Sequence, residues 1–316
     1  MKTPQEVKLK TPQEIKEYLD EYVIGQEKTK KALAVAAYTY FKIIKGSDIK
    51  KTNVLLIGPT GCGKTYIVSI LAKMLDVDFL TTDATKFTSS GYGGRNVEDI
   101  ITDLVTMCDN NEERAKKSIV YIDEIDKVKK KTSSDGSPDV NGVGVQQALL
   151  KLLEGSDVPY ISKYSQNGEH DKKMNTKNIM FICSGAFVGL ESVDTQGLVK
   201  FGMIPEFLGR FSVTTQLMEL KFEDYKKILT DSKGSILNSF KEWFATEDIE
   251  LIIEDSSLNI IAKKAIDKGL GARGLQSILD EALLNAQFEA PSMKIKPKSF
   301  VLDAMVVLTG KPNWKF

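Results

Sequence analysis

The run Gly58-Pro59-Thr60-Gly61-Cys62-Gly63-Lys64-Thr65 combines glycines, a lysine and a hydroxyl at a spacing suited to phosphate. Glycines let successive backbone N–H groups curl around phosphate oxygens, and a helix opening at the lysine adds positive potential. In this pattern Lys64 reaches the β- and γ-phosphates and Thr65 holds Mg²⁺. Cys62 presents its backbone rather than its thiol. A second constellation lies at 119–126, IVYIDEID. Four apolar residues make a strand, and Asp123 and Glu124 stand at its carboxyl end, where ligands of parallel sheets bind. Asp123 can hold the Mg²⁺ through water, and Glu124 can orient an attacking water. The two sets together point to ATP and Mg²⁺ as cofactors and to phosphoanhydride hydrolysis.

These groups need a sheet to position them. The runs NVLLIG, VDFL, SIVYID and NIMFIC are short and apolar, as buried strands are. Between them, Ile67, Ile70, Leu71 and Leu75, and later Val145, Leu149, Leu152 and Leu153, recur with helical period. Strands alternating with amphipathic helices predict an α/β fold, a parallel sheet covered by helices on both faces. The alternation stops near Leu217, and a boundary is expected near Glu219. Residues 223–244 and 256–290 read as mainly helical, with strands at IELIIE and near SFVLDAMVVL. The expected organisation is a flexible arm at 1–10, a large α/β ATPase domain at 11–218 and a smaller, mainly helical domain at 219–316. A short duplication, KTPQEVKL then KTPQEIKE, opens the chain, and each copy has the Thr-Pro-x-Glu pattern of a capped helix start. Residues 129–142 and 162–177 read as long loops.

Composition excludes several classes. The 43 basic and 43 acidic residues balance, which counts against a nucleic-acid binder. No apolar stretch is long enough to span a bilayer, and the N-terminus lacks the character of a signal or transit peptide. With three scattered cysteines, Cys62, Cys108 and Cys183, neither a zinc site nor a disulfide scaffold is expected. A reducing, cytoplasmic setting fits. The one histidine, His170, reads as a solvated loop residue, so imidazole chemistry is set aside. Only four of the 43 basic residues are arginine, so each can mark a place that needs a planar fork. They are Arg95, Arg114, Arg210 and Arg273; Arg114, in NNEERAKK, reads as incidental.

YVIGQ (22–26), GPTGCGKT, IVYIDEIDK, GVQQALLKLLEG, FGMIPEFLGR and GARGL occur in this order. Together they resemble the ClpX-type protein unfoldases of the Clp/Hsp100 family, AAA+ P-loop NTPases, from about residue 11 to the end. The resemblance implies that Val23 and Ile24 line the adenine pocket. It implies that Lys64, Thr65, Asp123 and Glu124 act as read above, and that Ser184 lies where a sensor group meets the γ-phosphate. Arg210 matches the arginine finger that acts on a neighbouring subunit's nucleotide, and Arg273 matches the second sensor. Gly91, Tyr92, Gly93 and Gly94 fall where such motors carry a loop lining the channel of a ring hexamer. In that reading Tyr92 grips substrate polypeptide while the glycines let the loop swing.

The chain also departs from the family pattern. The aliphatic pore residue is Gly93 here, and the acidic residue that follows is Arg95. The family's long insertion is cut to ESVDTQGLV (191–199), with only Val193, Leu198 and Val199 as apolar groups. No Ile-Gly-Phe docking tripeptide, no Arg-Lys-His loop within 158–177 and no N-terminal zinc domain is recognised. The expected function is therefore an ATP-driven unfoldase or remodeller, a homo-oligomeric ring acting on protein substrates without a ClpP-type peptidase, nucleic acid or membrane. The alternatives, in order, are an ATPase subunit of a peptidase docking through a different surface, an AAA+ nucleic-acid motor, and a nucleotide-dependent switch.

Overall fold

The computed structural model describes residues 10–88, 95–130, 140–162 and 172–316. Close contacts divide the chain into two units. The first holds Met1–Leu19, Glu27–Pro59 and Lys64–Leu217, and the second Asp20–Gln26, Thr60–Gly63 and Met218–Phe316.

The first unit is built on a five-stranded parallel sheet. Its strands are β1 (Val54–Ile57), β2 (Phe79–Asp83), β3 (Ile119–Asp123), β6 (Met180–Gly185) and β7 (Val213–Gln216), in the order β2-β3-β6-β1-β7. Alternation sorts the side chains. Leu55, Ile57, Val120, Ile122, Phe181 and Cys183 face one core, packed with Ile100, Ile101 and Leu104 of the helix Asp99–Met107 and with Val145, Leu149 and Leu153 of the helix Val140–Glu154. Tyr121, Asp123 and Ser184 alternate with these and so belong to the opposite face. The capped start expected of the second duplicate copy is present: the Thr11 N–H donates to Glu14, and the Glu14 N–H donates to the Thr11 hydroxyl. The first copy, residues 1–9, lies outside the described residues.

Part of the expected 162–177 loop is a strand. β5 (Lys172–Asn175) pairs antiparallel with β4 (Asp157–Tyr160). Its sequence, KKMN, has a single apolar residue, Met174, which is buried, so no periodic signal announced it.

The second unit carries the helices Phe222–Thr230, Ile236–Ala245, Asp255–Asp267 and Arg273–Glu289, with a small sheet of β8 (Glu250–Ile253), β9 (Ser299–Leu302) and β10 (Trp314–Lys315). Phe244 stacks on Phe300 at 5.2 Å in its core. The strand expected near SFVLDAMVVL is β9, which ends at Leu302. Asp303 then caps a helix, Ala304–Thr309, by accepting from the Val306 N–H at 2.9 Å. An acidic N-cap there outweighs the β-propensity of the valines that follow.

Candidate active site

β1 ends in the phosphate loop, and Lys64 opens the helix Lys64–Leu75. Lys64 Nζ folds back onto its own loop, donating to the carbonyls of Gly58 (2.7 Å) and Pro59 (2.9 Å). These are acceptors a phosphate oxygen can replace. Gly61 has φ +78°, and a Cβ there would stand 2.3 Å from the Leu270 carbonyl, so only glycine fits. Within the second unit the Ala272 N–H also donates to the Gly61 carbonyl at 3.0 Å. Cys62 is buried, as are the thiols of Cys108 and Cys183. Burial pushes the Cys183 thiol far above its ordinary range, which leaves it unreactive.

β3 and β6 are adjacent, and Ile122 lies opposite Cys183, which sets Ser184 level with Asp123. Asp123 Oδ1 accepts from the Ser184 hydroxyl and from the Glu124 N–H. Ser184 Oγ also meets Tyr121 Oη at 2.6 Å, and Thr65 Oγ1 donates to the same phenol oxygen at 3.2 Å. Ser184 is fully buried, with its hydroxyl committed to Asp123. Glu124 is exposed and holds a left-handed backbone, φ 57° and ψ 31°. A non-glycine residue in that conformation costs about 1–3 kcal/mol and aims the carboxylate away from the strand line.

Asp126 was not anticipated from sequence. It is buried, and its carboxylate accepts from the N–H groups of Ala186 and Phe187 just after β6. A Cβ on Gly185 would stand 2.5 Å from Asp126 Oδ1, so this close approach also needs glycine. Its one sequence signal is its place three residues after Asp123.

Arg210 lies at the other end of the sheet. Asn53, just before β1, donates from Nδ2 to the carbonyls of Arg210 (3.0 Å) and Leu153 (2.9 Å). The phosphate loop follows the opposite end of the same strand, which over four residues spans about 13 Å. The Arg210 guanidinium is ion-paired with Glu154, the last residue of the helix Val140–Glu154. That helix end is tied down by Lys51 Nζ and the Thr176 hydroxyl, both on the Leu152 carbonyl.

The other arginines divide as follows. Arg114 is not incidental: its fork grips both oxygens of Asp78, at 2.7 and 3.0 Å, and holds that carboxyl below its usual range. The partners are 36 residues apart, so the pair was invisible in sequence. Arg95 donates to Asp103 at 2.9 Å and exchanges backbone hydrogen bonds with Lys86 and Thr88. Thr88 and Arg95, the described residues on either side of 89–94, are joined by one of these bonds. Arg273 is exposed at the start of its helix. Val23 is buried and Ile24 half-buried; beside them the Gln26 amide exchanges two 2.8 Å hydrogen bonds with the Met218 backbone. Gly91, Tyr92, Gly93, Gly94 and His170 lie outside the described residues.

Residues 49–214 match the model of an AAA domain (Cdc48 subfamily), and residues 220–299 match the C-terminal, D2-small domain of ClpB protein. The chain is 39% identical over 336 residues to the ATP-dependent Clp protease ATP-binding subunit ClpX of Treponema denticola, covering 94% of this chain and 81% of that protein. It is 40% identical over 350 residues to the ClpX subunit of Borrelia duttonii, covering 96% of this chain and 82% of the relative. The chain belongs to the ClpX family.

Its first unit is accordingly an AAA+ α/β ATPase fold, followed by a smaller helical region, and the protein hydrolyses ATP. Among the described residues, no helix of this ClpX-family chain is long and apolar enough to cross a membrane.

Proposed function

We propose that this ClpX-family ATPase unfolds or remodels proteins by threading them through the pore of a ring hexamer, and does so without ClpP. Residues 11–218 form the ATPase domain, 219–316 the small domain and 1–10 an arm. ATP binds with its adenine against Val23 and Ile24 and its phosphates on the Gly58–Thr65 loop. Thr65 and Asp123 hold the accompanying Mg²⁺, Glu124 orients the attacking water, and Arg273 contacts the nucleotide as second sensor. The donor set suits that ion, since both Thr65 and Asp123 offer hard oxygens.

The observation that carries the ring is the position of Arg210. Its backbone is pinned at the amino end of β1, a strand length from its own phosphate loop. A guanidinium there, partly exposed and held by Glu154, suits the nucleotide of a neighbouring subunit.

The pinned feet of the 89–94 segment support the gripping role of Tyr92. Arg95 bonds to Lys86, Thr88 and Asp103, so force on the loop passes into the helix Asp99–Met107. Tyr92→Ala is expected to keep most basal ATP hydrolysis while unfolding of a tagged fluorescent protein falls sharply. Gly93→Val is expected to raise unfolding per ATP, because an added aliphatic contact can contribute roughly 1.5–3 kcal/mol. Unchanged unfolding per ATP in Tyr92→Ala would remove the gripping role.

Independence from ClpP is supported by the fate of the shortened segment. Asp194 caps a helix, Thr195–Phe201; Leu198 is buried in the core and Val193 packs against it. Neither is available as a docking anchor, which leaves Val199 as the one exposed apolar side chain of the three. The relatives' names favour a second reading, an ATPase subunit of a Clp protease. The unfolding assay run with and without a ClpP-type peptidase separates them. The expected result is unfolding in both arms and no degradation; ATP-dependent degradation of the folded substrate establishes the second reading instead.

A further inference from the structure

We propose that Tyr121 is a positioning residue that aims the Thr65 hydroxyl, acting through a one-way run of hydrogen bonds that ends on Asp123. The proposal rests on the reading of Thr65 as a ligand of the Mg²⁺ that accompanies ATP. Four groups lie in sequence: Thr65 Oγ1, Tyr121 Oη at 3.2 Å, Ser184 Oγ at 2.6 Å from the phenol, and Asp123 Oδ1. An ionised carboxylate can only accept, so the single Ser184 proton goes to Asp123. Ser184 Oγ must then accept, which commits the Tyr121 proton to it. The phenol oxygen is left as an acceptor, and it takes the Thr65 proton. Every hydroxyl proton in the run therefore points toward Asp123.

The consequence falls on Thr65. A hydroxyl binds a cation through its oxygen lone pairs, and its proton must be turned elsewhere. Tyr121 supplies that place, so the lone pairs of Thr65 are turned away from the phenol without any rearrangement. At the far end, Asp123 Oδ1 is occupied by Ser184 and the Glu124 N–H, which leaves Oδ2 for the solvated cation. Tyr121 and Ser184 are both fully buried, so water does not compete for these bonds. Strand alternation builds the run: Tyr121 and Asp123 are two residues apart on β3, and Ser184 sits on the neighbouring strand.

The test is metal affinity, not turnover. Binding of Mn²⁺ to the full-length chain saturated with the non-hydrolysable analogue adenylyl imidodiphosphate is followed by electron paramagnetic resonance of the free ion. Analogue affinity in EDTA is measured in parallel. Tyr121→Phe keeps the ring's volume and loses only the relay; it is expected to weaken Mn²⁺ about two- to ten-fold, the range of one hydrogen bond. Analogue affinity in EDTA is expected to stay unchanged. Ser184→Ala interrupts the run without touching the tyrosine and is expected to shift Mn²⁺ in the same direction, with Ser184→Thr restoring it. Wild-type Mn²⁺ affinity in both Tyr121→Phe and Ser184→Ala overturns the proposal, and so does an equal loss of analogue affinity with and without metal. Thr65→Ala separates the two failures. If it too leaves Mn²⁺ binding intact, the reading of Thr65 fails; if it alone weakens binding, only the role of Tyr121 does.

Discussion

Glu124→Gln is expected to lower ATP turnover by about 10²–10⁴-fold while nucleotide affinity stays near that of the unmodified protein. The reason lies in where the residue stands. On the proposed reading binding uses the loop Gly58–Thr65, whereas the Glu124 backbone is held elsewhere, its N–H donating to Asp123 and its carbonyl accepting from the Lys127 N–H. Its left-handed backbone turns the carboxylate out of the strand, exposed, where an attacking water can be oriented. Glutamine preserves size and hydrogen bonding but cannot take up a proton at neutral pH. Lys64→Ala is the contrasting case, because that ammonium caps the phosphate loop itself and its loss should abolish binding. Equilibrium binding of a fluorescent nucleotide, set beside steady-state hydrolysis, checks both variants. Equal loss of affinity in the two would sink this division between binding and cleavage.

Arg210→Ala should cost about 10³-fold or more in turnover, the scale of a guanidinium that meets transition-state charge. The defect should appear on the neighbour's nucleotide. Rings assembled from Arg210→Ala and Glu124→Gln subunits are therefore expected to recover part of the lost hydrolysis, since some interfaces join an intact arginine to an intact glutamate. Neither homogeneous variant can form such an interface. The pin from Asn53 to the Arg210 carbonyl makes the alternative, action within one subunit, geometrically unfavourable, because the phosphate loop is a strand length away. Absence of recovery in rings shown to be mixed and assembled would assign Arg210 another task.

Much of the candidate site could be proposed from sequence because its parts are contiguous. The loop Gly58–Thr65 carries its own chemistry within eight residues, and Asp123 and Glu124 follow an apolar run that can only be a buried strand. The helix start at Thr11 was legible for the same reason, since a capping box is a contact over three residues. The helix start at Asp303 was not read, although its cap also spans three residues. There, valines that favour a strand were overruled by a cap that forms only when the chain has already turned.

The sequence by itself determined the alternation of strands and helices and the family to which the chain belongs, and it supplied the phosphate-binding reading of Gly58–Thr65. Tertiary structure alone decided which distant groups meet. Arg114 grips Asp78, Glu154 holds Arg210, and Asp126 secures the backbone after β6. The run from Thr65 through Tyr121 and Ser184 to Asp123 joins three elements. It exists because β3 and β6 pair in one register, and a slip of a single residue would turn Ser184 to the opposite face. Short-range patterns record local backbone preference, but strand register is set by burying the whole apolar face at once, and no single segment carries that information.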